Sequence, residues 1–176
     1  DFSGMVRRRL RNEIVQKRLL ERMVHDIKYL LSDSEDEEKE EKAVYQAYLS
    51  IDPEVRIRRN VVDGQDATHF LAIKSNGDLV RQEVEIPITT EHFYALAEMV
   101  TQPFITKEFR IYQLPGGLEL ECSLVDKGQE TEFMYAEVEF PSVQVAESFE
   151  PLPCFMADVT KDSSYKMKNF WKRTRG

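Results

Sequence analysis

LELECSLVD, residues 118–126, and FMYAEVEFPS, residues 133–142, are joined through a turn at Lys127-Gly128. Side chains of an extended strand point alternately to opposite faces. Glu119 and Glu121 therefore share one face, with Leu118, Leu120 and Cys122 on the other. Glu137 and Glu139 likewise share a face, opposite Ala136, Val138 and Phe140. Two such segments around a glycine turn predict an antiparallel hairpin with one apolar face and one charged face.

The same alternation extends through the chain. AVYQAYLSI (43–51) reads as a strand closed by Asp52-Pro53, and VRIRRNVV (55–62) as a second, ended by Asp63-Gly64. In the second, Arg56 and Arg58 oppose Val55 and Ile57. THFLAIKS (68–75) sets Lys74 against Ile73, and the Asn76-Gly77 that follows is a strong hairpin signal. In DLVRQEVEIPI (78–88), Arg81, Glu83 and Glu85 oppose Val80, Val84 and Ile86, and Pro87 marks the end. ITKEFRIYQL (105–114) turns at Pro115-Gly116-Gly117 into the first quoted stretch. TTEHFYALAEMV (89–100) reads instead as a helix, with Thr90 as its cap and Phe93, Ala97 and Val100 on one face. VQVAESFE (143–150) predicts a short helix, and in the tail Phe170 and Trp171 pin a C-terminal helix to the sheet. Six or more consecutive strands joined by short turns, with few helices, predict an α+β protein. Its antiparallel sheet is closed or nearly closed, with helices packed outside.

Residues 1–42 differ in character from 43–176, which carry the strands. Leu10, Ile14, Leu20, Val24, Ile27 and Leu31 fall near helical spacing among Arg and Lys, so residues 5–31 predict a basic amphipathic helix. Residues 32–42, SDSEDEEKEEK, form a charge block of the kind that is solvated loop or frayed helix. These two segments are the candidate surface for a protein partner.

The 176 residues suit one domain with a real core. A net charge of −8 argues against sequence-independent nucleic-acid binding. It leaves an anionic ligand open, because a ligand feels the local field. Cys122 and Cys154 form no CxxC pair and have no histidine at ligand spacing, which argues against zinc and fits a reducing cytoplasm. No apolar run reaches the length of a membrane span, and the first residues carry no signal segment. His25, His69 and His92 are scattered and read as structural. No nucleophile elbow, Walker loop or dinucleotide fingerprint is present.

The charged strand faces admit two readings. They are solvated surface ladders, worth little each, or they line a wet lumen whose apolar exterior packs under helices. A polyphosphate with a divalent cation gives a lumen reason to gather both signs. Arg and Lys bind phosphate oxygens, and glutamates hold Mg²⁺ or Mn²⁺. The shared face of Glu137 and Glu139 suits one metal.

In chain order, QAYLSIDPEVRIRR, FLAIKS, RQEVEIPI, ITKEFR, LELE, AEVEFPS and DVTKDSSY resemble the ordered motifs of the CYTH, or triphosphate tunnel metalloenzyme, family. Those motifs are Q-x-Y-L, R-x-R, I-K, R-x-E-x-E, K-x-R, an acidic strand, E-x-E-F and V-T-x-D-x-R-Y. The resemblance covers residues 44–170. It implies an eight-stranded tunnel, a triphosphate ligand and Mg²⁺ or Mn²⁺. By this resemblance Arg56, Arg58, Lys74, Arg81 and Lys107 clamp phosphates, with Lys17, Arg110 and Lys166 as further candidates. Glu137 and Glu139 hold the metal, with Glu13, Glu119, Glu121, Glu83 and Glu85 as further oxygen ligands. Glu137, Glu139, Arg58 and Lys74 form the catalytic set.

Three positions depart from the family pattern. The E-x-E-x-K expected on the first strand finds its candidate in Glu13-Ile14-Val15-Gln16-Lys17, where Val15 replaces a glutamate. The Arg expected two residues after Lys107 is Phe109, and Arg110 reaches the lumen only if a bulge turns it inward. The tail Arg is Ser164, with Lys161 or Lys166 as replacements. The resemblance thus implies metal-dependent hydrolysis of tripolyphosphate or a nucleoside triphosphate. The departures offer a second reading, a triphosphate- or nucleotide-binding module without turnover. A third, an adenylate cyclase of the family's class IV branch, lacks the His-Phe pair which that branch tends to carry ahead of the first acidic motif.

Overall fold

The computed structural model describes residues 5–11, 38–76, 80–151 and 157–176. Among them, ten strands make one curled antiparallel sheet. They are β1 (Met5–Arg11), β2 (Glu38–Ile51), β3 (Glu54–Val61), β4 (Thr68–Lys74) and β5 (Val80–Arg81), then β6 (Glu83–Pro87), β7 (Ile105–Gln113), β8 (Glu119–Val125), β9 (Phe133–Phe140) and β10 (Ala157–Asp158). The order across the sheet is β10-β1-β9-β8-β7-β2-β3-β4-β6, and β5 pairs with β1. Three helices accompany it: α1 (Thr90–Ala97), α2 (Val143–Ser148) and α3 (Met167–Arg175). No helix among the described residues is long and apolar enough to cross a membrane.

The hairpins fall where their turn chemistry requires. Gly116 and Gly117 take φ of 81° and 79° between β7 and β8, a left-handed backbone that a side chain would strain. The expected hairpin β8–β9 pairs Glu121 with Glu137 and Cys122 with Ala136.

Three local expectations need correction. Residues 5–11 form a strand instead of a helix. The arginines at 7, 9 and 11 are as compatible with period two as with a helix, and a six-residue ladder from Val6 to Arg11 against β9 decides for the strand. The remainder of the expected helix lies outside the described residues. Glu38–Lys42 is strand too, because β7 pairs with it across a register shift between Glu38 and Glu40, with Glu41 opposite Arg110 and Lys42 opposite Phe109. Helix α1 begins one residue earlier than read: Thr89, not Thr90, is the cap and accepts the His92 N–H.

The outer apolar faces are covered by α1 and α2 as expected, whereas α3 packs on the inner-face residues Tyr48 and Phe133 and not outside the sheet. Leu120, Cys122, Met134, Ala136, Val138 and Phe140 pack with Ala146 of α2 on the outer side of β8 and β9. Phe93 of α1 packs with Ala47 and Ile57, and its ring lies 4.8 Å from that of His69. Each fully buried aliphatic or aromatic side chain contributes about 1.5–3 kcal/mol. Burial and the nearby Arg59 push the His69 imidazole below its ordinary pKa, so it is held neutral as a core residue.

Helix α3 is fixed at both ends. Trp171 lies 5.7 Å from Tyr48 and Phe170 4.9 Å from Phe133, ring centre to ring centre. Farther along, Arg175 bonds Asp126 at 2.6 Å, both side chains almost wholly buried. Asp126 also accepts from the Thr106 N–H and the Thr131 hydroxyl. Removing one partner of a buried ion pair leaves an uncompensated charge, so Arg175→Ala should lower stability by about 3–5 kcal/mol in denaturant unfolding.

Candidate functional site

The charged faces of β2, β3, β4, β6, β7, β8 and β9 surround a cavity of about 400 Å³. Five cations line it: Lys42, Arg56, Arg58, Lys74 and Lys107. Five carboxylates line it as well: Glu83, Glu85, Glu121, Glu137 and Glu139. Of the two sequence readings of the charged faces, the structure therefore has charges gathered around one cavity and not an outward ladder.

Each side chain owes its place to strand alternation. Arg56 is 4% exposed and Lys107 6%, values a cation reaches only when it is answered by other groups. Arg56 lies 3.4 Å from Glu83 and 3.6 Å from Glu85. Lys74 donates to Glu83 at 2.6 Å. Glu83 thus bridges two cations from neighbouring strands. On the other wall, Lys107 donates to the Tyr135 hydroxyl at 2.7 Å. Glu121 and Glu137 are direct partners across the β8–β9 ladder, with Glu139 two residues farther on the same face. Like charges directly opposite destabilise a ladder unless a cation lies between them.

Unmet polar atoms cluster on the same face. Among the described residues, neither the Gln46 amide nitrogen nor its carbonyl oxygen has a protein partner, and both are buried. The Tyr48 hydroxyl and the Arg56 Nε are in the same condition. Burial pushes the Tyr48 phenol far above its ordinary range, against the pull of Arg56, so it stays a neutral hydroxyl. Buried polar atoms of this kind are satisfied by water or ligand.

Glu119, Lys166 and Arg110 fall elsewhere. Glu13 and Lys17 lie outside the described residues. Arg81 stands in β5 opposite Met5 of β1. Glu119 sits at the start of β8 and does not line the cavity. Lys166 precedes α3 away from the cavity, and it is Lys168 that turns toward β3, 3.9 Å from Glu54. Arg110 is on the outer side, bonded to Glu41 at 2.9 Å. The bulge that would turn it inward is absent: β7 and β8 stay in register from Lys107 to Gln113.

Two site features escaped the sequence reading. Lys42, assigned to a solvated charge block, lines the cavity with its ammonium 4.9 Å above the Phe109 ring. Tyr135 was passed over because an aromatic residue on a charged face carries no motif. Alternation with Glu137 and Glu139 was the available signal for Tyr135, and for Lys42 alternation with Val44 and Gln46.

No family model matches the chain. An inorganic triphosphatase from Nitrosomonas europaea is 33% identical over 144 residues, covering 80% of this chain and 91% of that protein. The chain belongs to the CYTH, or triphosphate tunnel metalloenzyme, family. Among solved structures, the inorganic triphosphatase NE1496 superposes with a TM-score of 0.60 at 24% identity, covering 99% of this chain and 98% of that one. A putative adenylyl cyclase from Hippeastrum, described as having dominant triphosphatase activity, gives 0.50 at 14% identity over 82% and 83%. At such identities the two structures speak for the CYTH fold alone.

Set against the CYTH pattern, the first strand stands out. Residues 7, 9 and 11 of β1 are arginines, at register positions opposite Glu139, Glu137 and Tyr135 of β9. The candidate for the family's E-x-E-x-K motif, Glu13 to Lys17, lies outside the described residues.

The Lys107–Tyr135 bond is testable by itself. Tyr135→Phe removes one charge-assisted hydrogen bond from a buried ammonium and should cost about 1.5–3 kcal/mol in urea unfolding.

Proposed function

We propose that this chain hydrolyses a triphosphate, inorganic tripolyphosphate or a nucleoside triphosphate, inside the charged cavity. The observation that carries the reading is the set of five cations turned toward one cavity, beside carboxylates on the facing strands. A relative named for triphosphatase activity, matched over most of both chains, supports it. Closure of the sheet into an eight-stranded tunnel belongs to the same proposal. Its support is that β1 pairs with β9 on one side and β5 on the other, and β5 runs through Gln82 into β6 at the far end of the sheet.

Arg58 and Arg56 bring guanidinium groups, suited to two phosphate oxygens at once, while Lys42, Lys74 and Lys107 bring point charges. Cations fixed before the reaction offset negative charge as it shifts toward the leaving phosphate, without reorganising at that moment. Glu83 keeps Lys74 and Arg56 in place. Tyr135 orients Lys107. Enclosure by the strands limits bulk water and strengthens each of these interactions.

Mg²⁺ or Mn²⁺ is part of the proposal. No three carboxylate, imidazole or thiolate groups among the described residues converge into a ready-made metal cluster. Glu121, Glu137 and Glu139 are instead separate oxygen donors around one cavity. That suits these ions, which take one or two protein carboxylates together with substrate phosphates and keep several waters. When bound there, the metal would neutralise phosphate charge. Cytoplasmic residence fits a substrate of this kind and the two-cysteine composition.

A second reading, a module that binds triphosphate without turnover, is favoured by one observation. The register positions of β1 opposite Glu139 and Glu137 are the arginines Arg7 and Arg9, which can answer those carboxylates in place of a metal.

Phosphate release from tripolyphosphate and from ATP separates the readings, measured with Mg²⁺, with Mn²⁺ and with a chelator. The enzyme reading expects metal-stimulated release, with Arg58→Ala and Glu137→Ala each lowering kcat/KM by roughly 100-fold or more while cooperative unfolding is kept. Flat traces with every triphosphate and metal, alongside thermal stabilisation by tripolyphosphate, would replace it with the binding module.

A further inference from the structure

The family pattern places an arginine where this chain has Phe109, and Arg110 cannot replace it because it bonds Glu41 on the outer side. Directly across the ladder from Phe109 stands Lys42 of β2. Paired residues on adjacent strands have Cβ atoms about 4.5–5.5 Å apart, so a long side chain at 42 can deliver a charge to the space an arginine at 109 would have served. The Lys42 ammonium lies 4.9 Å over the Phe109 ring and donates to Glu40 at 3.0 Å. Its side chain is 16% exposed and lines the same cavity as Lys107 and Arg58.

We infer that Lys42 is a phosphate-binding residue of this site, supplying from the neighbouring strand the cation lost at position 109, with Phe109 as the platform that aims it. The inference rests on the triphosphate reading above. Phe109 gives the ammonium a face to lie on without competing for it as a carboxylate would. Glu40 holds the ammonium from the side, and with a 38% exposed side chain it can let go when a phosphate oxygen arrives. A lysine donates as a compact point charge, where an arginine would grip two oxygens in fixed geometry. The site therefore tolerates more variation in the phosphate it meets at this point.

Calorimetric titration of the full chain with inorganic tripolyphosphate tests this, with melting curves run on each variant. Lys42→Ala should bind roughly 10- to 100-fold more weakly, the span expected for losing a hydrogen bond to a charged group, and should melt as the parent does. Lys42→Arg should bind within a few-fold of the parent. Adding Phe109→Arg to Lys42→Ala should recover most of the lost affinity, because the charge returns to the opposite side of the same ladder pair. Parent-like binding by Lys42→Ala would overturn the inference and leave the triphosphate reading standing. So would weak binding that neither Lys42→Arg nor the added Phe109→Arg repairs. A parent protein that takes up no tripolyphosphate would remove both.

Discussion

A buried guanidinium must be answered, and the answer given to Arg56 shapes this molecule. Its partners, Glu83 and Glu85, lie on β6, yet β3 and β6 are not neighbours, since β4 pairs with both. In a flat sheet two strands on either side of a third stand about 9.5 Å apart. Their side chains meet when the sheet curls so that the charged face is concave. The ion cluster and the curl are thus one feature. Without the curl, Arg56 would be a buried charge lacking its partners, and without the cluster the concave face would have cations and carboxylates desolvated singly. The cost of that is several kcal/mol per ion, more than any surface ladder could offset.

Helix α3 packs against the same curled sheet from another direction. Trp171 and Phe170 meet Tyr48 and Phe133, and the same faces of those strands carry Lys42 six residues before Tyr48 and Glu137 four residues after Phe133. The inner faces of β2 and β9 therefore change from apolar to charged along their length. The apolar part is covered by α3, and the charged part is left around the cavity. The Arg175–Asp126 pair ties the far end of α3 to the end of β8. The tail is thereby anchored by geometry independent of the ligand-facing charges.

Period-two alternation made most of this legible. Glu137 and Glu139, Arg56 and Arg58, and Lys74 all stand on the face that alternation gave them, and the hairpin joining β8 to β9 sits at Lys127-Gly128 as read. What alternation cannot supply is the sign of the curvature, so it leaves open whether those charges look outward or into a cavity, and only the order of the motifs favours the cavity. The edges of elements were the other loss. Arginines at 7, 9 and 11 satisfy a strand as well as the basic face of a helix, and only the ladder with β9 distinguishes them. The run ending at Lys42 is so acidic that composition masks its pairing, although Glu41 and Lys42 have partners on β7. Arg110 was misplaced for a similar reason: a bulge is a property of two strands, and one strand's sequence does not reveal it.

That last point limits how a site such as this one can change. A cation lost from an inner position cannot be recovered from the next residue along, because the next residue faces out. Sliding β7 by one would bring Arg110 inward, but it would carry Lys107 out and break its bond to Tyr135. A bulge would need an extra residue in a ladder that runs unbroken from Lys107 to Gln113. The position directly across the ladder escapes both penalties: it shares the face, lies within reach, and belongs to a strand whose own register is untouched. Lys42 occupies that position opposite Phe109. In a sheet whose charged face is also its ligand face, cations can thus be exchanged between paired strands while the backbone stays as it is.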